Sequence, residues 1–251
     1  MSTLVIFLAA TLAGTINSIA GGGTLISFPA LLWIGRNPVI ANATNTVAIW
    51  PGSLAGAFGF RRELLTVRRW LLLLVIPSLA GGALGGWLLL RTPTSTFKAL
   101  VPWLILGATL LLAAQEFITK RLGVLAHAHE EPTPGWVTFV FVFQFLVALY
   151  GGYFGAGMGI LMLAALGLIG LTDLHQMNGL KNVLAVAING VAAIYFILAH
   201  AVVWHDVLIM TSGALIGGYA GARVAHRLGR KFVRRAVVAI GIVMTVALLL
   251  K

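Results

Sequence analysis

The 251-residue sequence contains no cysteine. That removes disulfides, thiolate metal sites and cysteine nucleophiles. Charge is scarce as well: 9% of residues are Asp, Glu, Lys or Arg, against about 25% in an ordinary soluble domain. So few charges cannot coat a water-soluble globule of this length. Acids are scarcest of all. The six are Glu63, Glu116, Glu130, Glu131, Asp173 and Asp206, and none stands in the middle of an apolar segment. This argues against an acid-lined cation channel, a carboxylate proton relay and an intramembrane metalloenzyme. Enzyme signatures are missing too: no P-loop, no Gly-x-Ser-x-Gly and no His-Glu-x-x-His. The sequence therefore predicts neither an enzyme nor a bound cofactor.

What is present is apolar. Hydrophobic residues make up 60% of the chain, and the mean hydropathy is +1.01. Lipid must be the solvent for much of it. The net charge of +11 sits in short loops between apolar runs. There it reads as membrane orientation and not as a nucleic-acid surface. Residues 3–13 resemble the apolar part of a signal peptide, but no Lys or Arg precedes them and a glycine run follows. They are expected to be retained.

Eight apolar segments stand out, at 3–35, 38–60, 69–90, 96–118, 136–170, 174–198, 202–222 and 233–250. A crossing helix needs about 20 residues. The first and fifth segments are too long for one crossing, and glycine breaks each of them in the middle. The polar stretch 119–135 divides the chain into a first half, 1–118, and a second half, 136–251. An offset of 136 aligns the halves without a gap over 20–54: Ala20, Gly21, Gly23 and Leu25 fall on Ala156, Gly157, Gly159 and Leu161, and Asn42 falls on Asn178.

Charge counting orients the halves. If all eight segments cross once, the basic residues are nearly balanced between the two sides. If segments one and five are re-entrant hairpins, one side collects Arg61, Arg62, Arg68, Arg69, Lys120, Arg121, Lys181 and the six basic residues of 223–235. The other side keeps only Arg36, Arg91, Lys98 and Lys251. The positive-inside rule selects the second arrangement. The predicted fold is thus an all-α polytopic membrane protein of two inverted repeats, each a re-entrant helical hairpin plus three transmembrane helices. The 119–135 linker is expected in the cytoplasm, and both termini outside it. Trp70, Trp87, Trp136 and Trp204 lie near segment ends, as interfacial anchors do. Trp50 lies mid-helix, to line a cavity or to fill space.

The glycine breaks place two short helices, about 24–35 and 159–170, with their N-termini near mid-membrane. Such ends carry unpaired N–H groups and partial positive charge, and two of them converging make an anion site. Alternatively, the glycines only permit tight turns. Candidate anion-holding groups are Gly21, Gly22, Gly23 and Thr24 in the first half, with Gly157, Met158, Gly159 and Ile160 in the second. Lys181, about two turns into its helix, would supply charge unless it snorkels to the surface. Asn45, Thr46 and Asn182 would add hydrogen bonds or bridge helices. His127, His129, Glu130 and Glu131 have a spacing too general to specify a metal.

The run Gly14-Thr-Ile-Asn-Ser-Ile-Ala-Gly-Gly-Gly-Thr-Leu-Ile-Ser-Phe-Pro29, followed by Ala41-Asn-Ala-Thr-Asn-Thr46, resembles the sulfite exporter family known as TauE/SafE. Gly155-Ala-Gly-Met-Gly159 and Asn178-Gly-Leu-Lys-Asn182 echo it in the second half, with Met158 interrupting the glycine run. The resemblance covers essentially the whole chain. It implies a multi-pass transporter of the bacterial inner membrane for a small sulfur-containing anion, such as sulfite, sulfoacetate or another organosulfonate. The expected function is secondary transport by alternating access. An anion channel on the same architecture, or a non-transporting membrane subunit that docks a partner, stands as the alternative. A homo-oligomer is compatible with either.

Overall fold

The structure is a computed structural model. It describes the backbone of residues 2–19, 22–59, 67–126, 134–169, 171, 173–228 and 230–250. Within those stretches the side chains at 18–19, 55–59, 116, 119–126, 134, 168, 174–175, 220–228 and 230–233 are not described. The described residues fold into ten helices: α1 (Ser2–Ile19), α2 (Thr24–Trp33), α3 (Pro38–Gly59), α4 (Arg68–Arg91), α5 (Thr94–Ala126), α6 (Pro134–Tyr153), α7 (Met158–Leu168), α8 (Leu174–Leu198), α9 (Trp204–Leu228) and α10 (Arg230–Leu249).

Each overlong apolar run becomes a long helix and a short one. Gly22 and Gly157 take φ of +93° and +76° at the two breaks, a backbone region that side chains with a Cβ rarely enter. The arms are unequal. α1 and α6 have 18 and 20 residues, α2 and α7 only 10 and 11. At 1.5 Å per residue the short arms rise about 15 Å, half a bilayer. α5 continues past 118, where its apolar segment ends, as far as Ala126.

The molecule is built for lipid. Among the described residues, four stretches are long and apolar enough to cross a membrane: Arg68–Arg91, Thr94–Gln115, Gly135–Tyr153 and Gln176–Leu198. α3, α9 and α10 match them in length. Large apolar side chains point outward along the bundle, among them Leu72 and Ile76 on α4, Trp103 and Leu110 on α5, Leu146 on α6 and Val243 on α10. Polar side chains point inward: Ser27, Asn42, Asn45, Ser78 and Gln144 are all buried. In a soluble protein this exposed apolar surface would aggregate; in a bilayer it is solvated.

The halves are interleaved. α1 packs chiefly on α9, and α6 chiefly on α4; α4 also lies along α8, and α3 along α9. Exchanging each helix for its counterpart in the other half leaves these pairings unchanged. The contacts are close because small residues line them. A Cβ on Gly81 would come within 2.5 Å of the Phe145 carbonyl oxygen, and one on Gly217 would fall inside the Thr11 backbone. Gly81 and Gly217 are related by the same offset of 136. Residue numbers rise together across both interfaces, Gly81 and Gly85 meeting Phe145 and Leu149, Gly213 and Gly217 meeting Phe7 and Thr11. Each of these helix pairs is therefore parallel.

Connections gather at one end. The Arg36 guanidinium donates to both carboxylate oxygens of Asp206, at 2.6 and 3.0 Å. This joins the start of α3 to the start of α9. The bond holds the Arg36 pKa above its ordinary value. Asn37 Nδ2 donates to Thr94 Oγ1 at 3.2 Å, and the Val203 N–H donates to Thr44 Oγ1 at 3.1 Å. Gly23 sits on Ala13 and Asn17, while Trp33, Ile34 and Gly35 share a recess with Ser2 and Val5. α1 and α2 thus run out from this end and back to it.

The two helix breaks as a candidate anion site

The two breaks meet. A Cβ on Gly22 would touch Leu112, and one on Gly157 would touch Ala108, so both glycines rest on α5 one turn apart. Phe28 of α2 and Phe154 of the second break pack edge to face, with ring centroids 5.4 Å apart. Leu25, Phe28, Ala108, Leu112, Phe154, Ala156 and Ile160 share one buried cluster. The dry surroundings lower the local dielectric, so any charge at these helix ends acts strongly.

The backbone donors are unequally free. Gly23 N–H donates to Asn17 Oδ1 at 2.8 Å. Met158 N–H donates to the Gly155 carbonyl at 3.2 Å, and Ile160 N–H to the Gly157 carbonyl at 3.0 Å. The N–H groups of Thr24 and Gly159 are among those with no acceptor in the described residues. Tyr150 donates its hydroxyl to the Ala156 carbonyl at 2.6 Å and pins the second break from below. Gly21 lies outside the described residues.

Lys181 joins the second break. Its δ-carbon would lie 3.5 Å from a Cβ on Gly159, so the lysine stem covers the N-terminal turn of α7. Its ammonium donates to Asn178 Oδ1 at 3.0 Å. Lys181 and Asn182 are both half-buried. An ammonium and a helix N-terminus side by side place two positive ends on one spot.

Asn45 and Thr46 do not join that group. α3 and α8 cross at Trp50, whose indole N–H donates to the Val186 carbonyl at 3.2 Å and whose ring lies against Gly190. Val203, just beyond α8, reaches Thr44 near the start of α3, so the two helices are antiparallel. Asn45 and Lys181 each precede the crossing residue of their own helix by five positions, and so sit on opposite sides of it. At 1.5 Å per residue they are about 15 Å apart along the bundle axis. Thr46 donates its hydroxyl back to the Asn42 carbonyl at 3.0 Å. Asn42, buried beside them, donates its amide to the Tyr153 carbonyl at 2.8 Å. Trp50 therefore fills the crossing between two polar clusters.

Sequence reasoning missed three features. The Asn17 cap of Gly23 has a readable signal, an amide side chain just before a glycine run. The Tyr150 bond to Ala156 and the Arg36–Asp206 pair have none at their sequence separations. The His127, His129, Glu130 and Glu131 cluster lies outside the described residues. Two recesses, of about 370 and 390 Å³, lie away from the breaks, one at Ala113 and Arg234, the other at Ser2 and Trp33.

A family model described as "Sulfite exporter TauE/SafE" matches residues 6–248. A probable membrane transporter protein of Haemophilus influenzae is 28% identical over 242 residues, covering 96% of this chain and 92% of its own. A probable membrane transporter protein of Sinorhizobium sp, ORF9, is 30% identical over 253 residues, covering 97% and 91%. The probable membrane transporter protein YfcA of Escherichia coli K12 is 28% identical over 246 residues, covering 98% and 88%. No solved structure matches the chain.

Proposed function

The chain belongs to the TauE/SafE sulfite exporter family and is a membrane transporter, and from that premise we propose that it moves a small sulfur-containing anion by alternating access. Sulfite, sulfoacetate and other organosulfonates are the candidate cargo, and the bacterial inner membrane is the location. The observation that carries the reading is the Lys181 ammonium stem lying over Gly159 at the start of α7, with the other break packed alongside through Phe28 and Phe154. An oxyanion there would accept from the Gly159 and Thr24 N–H groups, pair with Lys181 and bond Asn182. Gly22, Gly157, Met158 and Ile160 would shape the cradle by their turns. Asn45 and Thr46, on the far side of Trp50, would meet the anion only along its path.

The architecture suits such a carrier. In this reading the halves are inverted repeats, and each hairpin, α1–α2 and α6–α7, is re-entrant. The outward-and-back course of α1 and α2 supports that, as do the parallel α1–α9 and α4–α6 pairs. It also leaves the basic residues crowded at one end, which the positive-inside rule makes cytoplasmic, with both termini periplasmic. Because each half is stapled to the other through its hairpin, one group of helices would rock against the other around a central site. The absence of cysteine makes topology directly testable: single cysteines at Ser2 and Gly135 should label from opposite faces.

The functional test is thermal stability of the purified protein in sulfite, sulfoacetate, taurine, thiosulfate, sulfate and chloride. A ligand at 100 times its Kd should stabilise by about 2.7 kcal/mol. One sulfur anion should raise the melting temperature of wild type and leave Lys181→Ala unmoved. Equal melting in all six would refute the assignment of a sulfur anion.

A further inference from the structure

The cluster on the other side of Trp50 has the opposite chemistry. Asn42 and Asn45 are buried, 0% and 2% exposed, and the Oδ1 of each has no hydrogen-bond partner. The Asn42 oxygen is identified by its own amide, since Nδ2 donates to the Tyr153 carbonyl. Residues three apart on a helix share a face, so α3 presents both oxygens together. Tyr153 is the last residue of α6, and a helix C-terminus carries unpaired carbonyls and partial negative charge. One face of α3 therefore carries two orphaned amide oxygens, and Asn42 ties that face to the end of α6. Leaving such acceptors buried and empty is costly. Gln144 Oε1, the third such oxygen among the described residues, belongs to an amide that donates to Ser78 at the α4–α6 contact.

The second half shows what fills this arrangement. Under the offset of 136, Asn42 falls on Asn178 and Asn45 on Lys181. There the Lys181 ammonium donates to Asn178 Oδ1 at 3.0 Å. A tethered cation already occupies the amide oxygen in one half; the other half has the amide oxygens and, at the position aligned with Lys181, the neutral Asn45. We infer that Asn42 Oδ1, Asn45 Oδ1 and the carbonyl end of α6 form a binding site for a monovalent alkali cation. Neutral oxygens suit a singly charged ion, because amide and carbonyl oxygens bring no negative charge to offset the dehydration of a divalent one. On the transporter reading above, this cation is the coupling ion, held about 15 Å from the anion along the bundle axis. Binding of the cation itself does not depend on which anion is carried.

The test is melting of the purified protein in lithium, sodium, potassium and N-methylglucamine chlorides at equal ionic strength and pH, with no sulfur anion present. At least one alkali cation should raise the melting temperature over N-methylglucamine. Asn45→Leu should fold and lose that response. Asn45→Lys, which copies the second half, should melt alike in all four salts and no lower than wild type in N-methylglucamine. A wild type that melts alike in every salt overturns the site, as does an undiminished response in Asn45→Leu. Loss of cation response beside an intact anion shift would leave the anion site standing, so the two readings fail separately.

Discussion

The two halves pair their helices alike and differ in charge where Asn45 of the first falls on Lys181 of the second. In the second half an ammonium is covalently tethered beside a helix N-terminus; in the first, amide oxygens stand bare beside a helix C-terminus. Elsewhere glycines from both halves carry close contacts of the same kind, Gly81 on Phe145 and Gly217 on Thr11. On the proposed reading of the halves as repeats, the duplicated frame would fix geometry and single substitutions at equivalent positions would assign function. Making the halves alike at that position should have the largest effect. Lys181→Asn removes the ammonium of the candidate site, and loss of a charged hydrogen bond to a bound anion costs about 3 kcal/mol, or roughly 150-fold in apparent anion affinity. Concentration-dependent anion flux into proteoliposomes measures it. Retention of wild-type affinity would end the comparison, because Lys181 would then be a surface-seeking lysine.

The shared frame can be broken symmetrically. Gly81→Ala and Gly217→Ala each push a methyl into the backbone of the opposite hairpin helix. Overpacking against backbone that cannot yield costs about 3 kcal/mol. Both variants should melt lower by similar amounts, whereas Gly107→Ala, with nothing within 4 Å of its Cβ position, should melt like wild type. A tolerated Gly217→Ala beside an intolerant Gly81→Ala would show that the hairpins are held differently.

One face carries a link that the offset does not reproduce. Arg36 falls on Thr172 and Asp206 on Trp70, so the ion pair has no counterpart. Its partners are unequal: Asp206 is 1% exposed and Arg36 38%. Arg36→Ala strands a buried carboxylate and should cost about 2 kcal/mol, near the middle of the range for an unsatisfied buried polar group. Asp206→Ala releases Arg36 to water and should cost about 1 kcal/mol or less. Unfolding of the two variants side by side measures the gap; equal losses would mean that Asp206 rehydrates without its partner.

The sequence made the frame legible and hid the cross-half chemistry. Hydropathy and the glycine runs located both breaks to within a residue or two, since glycine is the residue that most readily takes the backbone angles found at Gly22 and Gly157. The α5 extension through 119–126 was masked by its polarity; Lys, Arg, Leu and Ala are good helix formers, and no proline intervenes before Pro132. Lys181 could be picked out because an ionisable residue in an apolar segment is conspicuous. Asn42 was visible only as one polar residue among several, because an unpaired buried oxygen is a property of the surroundings. Its partner Tyr153 lies 111 residues away, and no periodicity carries information over that distance.

The smallest expected effect bears on the partition between the clusters. Trp50 falls on Val186 under the offset, and its indole N–H bonds the carbonyl of that same residue. Trp50 therefore touches the residue aligned with it, as the proposed inverted repeats would require near their two-fold axis. Trp50→Phe keeps an aromatic ring against Gly190 but removes the donor. The Val186 carbonyl remains inside α8, so the loss should be about 1 kcal/mol. If the indole holds the two clusters apart, this variant should bind both ions with wild-type affinity and show weaker dependence of anion flux on the cation gradient. Flux measured with and without the gradient decides. An unchanged ratio, with the expected small drop in melting temperature, would make Trp50 packing alone and return the separation of the clusters to the length of the helices.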